Sequence, residues 1–122
     1  MMLTTIFKEF TFDAAHYLPE VPLGHKCKNM HGHTYKLRVF LTGKVTNEGW
    51  VIDFSVLKEI VNKCIEEVDH KTLNTVQGLE NPTCELLAKW FWDKIKCQLP
   101  ELDTIELYET PTSGVVYKGL KS

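Results

Sequence analysis

Two long stretches of alternation constrain this chain more than any other feature. Over residues 5–16 the even positions Ile6, Phe10, Phe12, Ala14 and His16 share one side, with Lys8 the exception. Over residues 31–42 the odd positions His31, His33, Tyr35, Leu37, Val39 and Leu41 share one side. Thr34, Lys36, Arg38 and Thr42 take the other, with Phe40 the exception. A period of two puts successive side chains on opposite faces of a strand. Each stretch therefore predicts a half-buried strand. Between them, Pro19 to Asn29 carries Pro19, Pro22 and Gly24 and predicts a loop.

The period then changes. Gly43 to Gly49 predicts a turn and Trp50-Val51-Ile52 a short return strand. Val56, Leu57, Ile60, Val61, Cys64, Ile65 and Val68 recur at helical spacing, with Asp53 or Ser55 available as a cap. Asn81-Pro82-Thr83 opens a second helix whose apolar stripe is Leu86, Leu87, Trp90, Phe91 and Ile95, and Pro100 follows its end. Ile105, Leu107 and Glu109 share a strand face, and Gly114 to Tyr117 gives a last strand across a turn at Pro111 to Ser113. The order β-β-α-α-β-β predicts an α+β domain: a four-stranded antiparallel sheet with two helices on one face. With 122 residues, the whole of 1–122 is expected to form a single domain. A chain this short buries a modest share of its surface alone, so oligomerisation is plausible on size.

His31-Gly32-His33 places two imidazoles on one strand face, where both can reach one ion. Gly32 between them leaves room for a close approach. If the two long strands pair, His16 sits beside them. Three imidazoles with an open fourth position is the pattern of catalytic zinc, whereas structural zinc is closed by four protein ligands. The same spacing also occurs as a plain surface pair. Cys27, four residues before His31, is open to three readings: a fourth ligand, a reactive thiolate made acidic by zinc, Lys26, Lys28 or protonated His25, or an idle loop thiol. Asp69-His70 follows the first helix and is either an acid/base pair or a helix end interacting with the dipole. Glu109 either needs a partner in a covered region, such as the two donors of a guanidine-like ligand edge, or reaches water.

The formal net charge of −2 gives no general pull toward nucleic acid or an anionic membrane. Arg38 is the sole arginine, so a phosphate contact would rest on lysines. No apolar run approaches a membrane span. Met1 to Phe12 lacks the basic and apolar regions of a secretory signal, and Cys27, Cys64, Cys84 and Cys97 form no CxxC pair. Free thiols in a reducing cytoplasm are the expectation.

Several segments together resemble one family. They are Phe12-Asp13-Ala14-Ala15-His16, Gly24-His25-Lys26-Cys27, His31-Gly32-His33, Val51-Ile52-Asp53-Phe54, Leu73-Asn74, Glu80-Asn81-Pro82-Thr83 with Glu85, and Tyr108-Glu109-Thr110. In this order they resemble the 6-pyruvoyl-tetrahydropterin synthase family over nearly the whole chain. The run from Gly24 to His33 is most similar to its carboxy-forming bacterial branch, associated with queuosine biosynthesis. The resemblance implies a tunnelling fold, in which three chains pool their sheets into a β-barrel and two trimers stack as a homohexamer with active sites between subunits. It implies a Zn²⁺ cofactor held by His16, His31 and His33, Cys27 as the proton-abstracting base, Asp69 and His70 as a proton relay, and Glu109 as the anchor of the pterin ring. It implies 7,8-dihydroneopterin triphosphate as substrate and a lyase reaction yielding 6-carboxy-tetrahydropterin, acetaldehyde and triphosphate. The pyruvoyl branch would retain the three-carbon side chain. A zinc-stabilised pterin-binding module without turnover is the alternative of another class. One departure stands out: Tyr17 occupies the position after the first zinc histidine where the family usually has arginine. Lys26 and Lys28 are the candidates to take over a phosphate contact.

Overall fold

The computed structural model describes residues 2–120. The two alternating stretches become β1 (Leu3–His16) and β2 (His31–Lys44). They pair antiparallel in unbroken register, from Leu3 opposite Lys44 to His16 opposite His31. The predicted sides hold: Phe10, Phe12, Ala14 and His16 of β1 and Tyr35, Leu37, Val39 and Leu41 of β2 are buried. A register slip of one residue would turn this whole set to solvent, so burial fixes the pairing. On the other side of β2 lies β4 (Leu102–Thr110), antiparallel, and then β5 (Ser113–Tyr117), antiparallel to β4.

Two helices cover the buried face. The first, α1 (Phe54–Glu66), turns Leu57, Val61, Cys64 and Ile65 inward, and the Asp53 carboxylate accepts from the Ser55 amide at 2.8 Å as its N-cap. The second, α2 (Cys84–Lys96), buries Leu87, Ala88, Trp90, Phe91 and Ile95. Leu86, expected in its stripe, is instead exposed. The Thr83 hydroxyl caps α2 by accepting from Leu86 N. Each cap is worth about 1 kcal/mol. Among the described residues no helix is long and apolar enough to cross a membrane.

Two expectations are corrected. Trp50-Val51-Ile52 is not a strand. The segment closes on itself instead: Thr46 donates to the Trp50 carbonyl and Gly49, at φ +96°, donates to the Thr46 carbonyl. Those bonds engage Thr46, Gly49 and the Trp50 carbonyl without a ladder. The sheet also has five strands rather than four, in the order β3-β1-β2-β4-β5. The addition, β3 (Lys71–Thr72), pairs parallel with Ala14 and Ala15 at the end of β1. It falls between the helices, so the element order is β-β-α-β-α-β-β.

Candidate metal centre and adjoining cleft

The end of the β1–β2 ladder builds the site. His16 is the last residue of β1 and His31 the first of β2, directly opposite one another, while His33 lies opposite Ala14. All three project to the helix-covered side. One ring nitrogen from each lies within 4.8 Å of the others. Gly32 is less constrained than expected, since a Cβ there would meet only Ala14 O at an ordinary 3.7 Å.

The outer hydrogen bonds decide which nitrogens face inward. His16 Nδ1 lies 2.8 Å from Pro82 O, and His31 Nδ1 lies 2.7 Å from Asn29 O. A carbonyl only accepts, so both Nδ1 atoms carry the proton. In the neutral rings both Nε2 atoms then present lone pairs, and they are 3.0 Å apart. Two neutral imidazoles in that arrangement repel. His33 Nε2 is buried with no hydrogen-bond partner. A cation between the three rings resolves both problems, and this donor set of three imidazoles fits zinc with one coordination position left open. Burial, the largest influence on His16, pushes its pKa down and so favours the neutral ligand form.

Glu109, near the end of β4, reaches the same place: its carboxylate oxygens lie 3.8 Å from His16 Nε2 and 3.8 Å from His33 Nε2. A cleft of about 460 Å³ opens beside the cluster, lined by Lys26, Cys27, His31, His33, Glu109 and Thr110. Cys27 is half-buried in a one-turn 3-10 segment, Lys26–Lys28. The metal-competent cluster comprises the histidines without Cys27. The thiol therefore belongs to the cleft rather than to that cluster.

Asp69 and His70 are placed differently. The Asp69 carboxylate accepts from Asp13 N at 3.0 Å and lies 3.7 Å from His70 Nε2. His70 adopts φ +59°, uncommon for a residue with a Cβ, and its side chain is 77% exposed. It lines a second cleft of about 490 Å³ with Asp13, Gly32, His33, Thr34 and Lys71. In one chain, Cys27 and His70 thus open onto separate clefts that share His33.

Three supporting contacts have no counterpart in the sequence reading. The Asn74 amide clamps the backbone after His16, accepting from Tyr17 N at 3.1 Å and donating to Tyr17 O at 2.8 Å. The Pro82 carbonyl, just ahead of the α2 cap, orients His16. The Lys28 ammonium, expected as a phosphate contact, is committed to Pro19 O and Val21 O, each at 2.9 Å. Lys26 alone of the two lysines lines the cleft beside the histidines. Leu73-Asn74 and Asn81-Pro82-Thr83 were visible as motifs, but their partners lie far away in the chain.

Comparison with known proteins adds a lineage to this geometry. Residues 5–120 match the family model described as 6-pyruvoyl tetrahydropterin synthase. The 6-carboxy-5,6,7,8-tetrahydropterin synthase of Synechocystis is 40% identical, over 92% of this chain and 91% of that protein. A dihydroneopterin monophosphate aldolase of Pyrococcus furiosus is 34% identical, over 93% of this chain and 96% of that protein. Among solved structures, the 6-pyruvoyl tetrahydropterin synthase of Caenorhabditis elegans superposes with a TM-score of 0.91 at 29% identity, covering 98% of each chain.

Proposed function

This chain belongs to the 6-pyruvoyl tetrahydropterin synthase family, an enzyme family of pterin chemistry, and from that premise we propose that it is a zinc-dependent carbon–carbon lyase. Its substrate is 7,8-dihydroneopterin triphosphate. Its products are 6-carboxy-5,6,7,8-tetrahydropterin, acetaldehyde and triphosphate, with uptake of one water. The observation that carries this reading is the shared cleft: Cys27 and Glu109 line the same opening as His31 and His33. Relatives named as carboxy-forming synthases at 40% and 36% identity support the product assignment.

His16, His31 and His33 are the residues that would hold the ion, which supplies Lewis acidity to the substrate's side-chain hydroxyls when bound. Glu109 receives the amino-pyrimidine edge of the pterin, because a carboxylate can accept two parallel N–H bonds from a guanidine-like edge. Cys27 then removes a proton from the substrate side chain beside the metal. Asp69 holds His70, which handles the proton on the other side. Because Cys27 and His70 open onto separate clefts, a neighbouring copy supplies the second half of each site. The assembly is a homohexamer of two stacked trimers in the cytoplasm, with sheets joined edge to edge.

The test is product analysis of zinc-loaded protein. Acetaldehyde together with the 6-carboxy pterin is the expected outcome. A retained three-carbon side chain would make the chain a pyruvoyl-forming synthase. The relative named as an aldolase adds one arm, the monophosphate offered in place of the triphosphate, and a clear preference for it would overturn the substrate assignment.

A further inference from the structure

We propose that Lys28 is a positioning residue for Cys27, fixing the thiol over the metal cleft by tying together the two limbs of its loop. The proposal rests on the reading of Cys27 as the base.

The loop from Tyr17 to Met30 joins two strands that end on metal-competent histidines. None of its residues is fully buried, and Leu23 at its tip is 92% exposed. Apolar packing into the core therefore does not set its shape. A loop of this length without a core of its own wanders unless polar contacts close it. Two contacts close this one across its limbs. Leu18 N donates to Cys27 O at 2.8 Å. The Lys28 ammonium, from the residue after Cys27, donates to Pro19 O and Val21 O on the opposite limb, each at 2.9 Å. Apart from the Asn74 clamp on Tyr17 at the start of the loop, the other contacts are local, among them Cys27 N donating to His25 Nδ1 and Lys28 N to His25 O.

Hydrogen bonds from an ammonium to carbonyls are roughly twice as strong as neutral ones. Two on one head group make Lys28 the main side-chain tie between the two limbs of the loop. Its charge is spent inside the loop and is not offered to the cleft. The contribution is to geometry, and proton transfer needs the base within about 3 Å of its target.

The experiment compares Lys28→Met, Lys28→Arg and Cys27→Ala in zinc-loaded, full-length protein. Lys28→Met is expected to keep its zinc and a KM within a few-fold while kcat falls by roughly ten- to a hundredfold, the cost of misplacing a reacting group by about 1 Å. Amide exchange at Leu18, whose N–H bonds Cys27 O, should accelerate. Lys28→Arg should restore both slow exchange and most of kcat, since a guanidinium can serve the same two carbonyls. Unchanged kcat and exchange in Lys28→Met, with Cys27→Ala inactive, would overturn this proposal alone. Loss of zinc in Lys28→Met would also overturn it, by making the lysine a support of the fold. Full turnover in Cys27→Ala would overturn the base assignment instead, whatever the exchange data report.

Discussion

At the scale of single residues, the site is decided by which atom of each side chain faces inward. Because carbonyls claim Nδ1 of His16 and His31, the inner nitrogens are left as lone-pair donors. His31→Ala removes one of three donors. Zinc affinity should fall by more than about 100-fold, beyond the loss typical when only a ligand's supporting partner is removed. Unchanged zinc stoichiometry in a chelator competition would contradict the three-histidine centre. The thiols make a second prediction. Burial and then the Glu109 carboxylate push Cys84 up to about 12 from an ordinary 9.0, and burial also raises Cys64. Cys97 is exposed and Cys27 half-buried. At pH 8 the folded chain should show fast labelling at Cys27 and Cys97 and slow labelling at Cys64 and Cys84. All should become equivalent in guanidinium. The sign of the linkage follows. Above pH 9 the unfolded chain releases the Cys84 proton while the folded chain keeps it, so stability falls as pH climbs toward 12. Urea unfolding across that window measures the slope, and Cys84→Ala should flatten it.

At the scale of elements, β1 and β2 were legible because each has one wet and one buried side, and alternation reports that contrast. The helices were legible by the same logic at a longer period. The two-residue strand β3 was not, since two residues have no period at all. The return strand at Trp50 to Ile52 did not form because three apolar residues carry no period to separate a strand from a turn, and the Trp50 carbonyl is claimed by Thr46 N within the loop. The histidine pair on β2 could be seen from spacing. The closeness of Glu109 to it could not, because that depends on β4 pairing beside β2. Asn74 shows how elements hold the site without touching it. Its amide continues the β3–β1 pairing one step past His16, as a strand backbone would. Asn74→Ala should lower stability by about 1–2 kcal/mol and weaken zinc binding by at least about tenfold. Chemical denaturation and metal competition measure the two effects separately. Stability loss with unchanged zinc affinity would confine Asn74 to the fold.

At the scale of the whole molecule, one chain looks unfinished. The sheet ends at β5 on one side, and on the other β3 covers only Ala14 and Ala15 of β1. Its outer face shows Leu3 at 69% and Phe7 at 53% exposure. Open edges of this kind invite pairing with another chain. Sedimentation should therefore give a particle several times the 14.1 kDa of one chain. A stronger check uses the split clefts. Cys27→Ala and His70→Ala proteins should each be inactive, yet unfolding and refolding them together should return roughly a quarter of wild-type activity, as expected if sites form head to tail at random. No recovery would place both residues in one subunit's own site. The loop between His16 and His31 has a last consequence. Both of its ends are locked by the register of the ladder, so the part between the Tyr17 and Asn29 contacts can be lengthened, shortened or rewritten without moving His16 or His31. The chemistry done beside the cluster can then diverge in that segment while the three histidines are inherited intact.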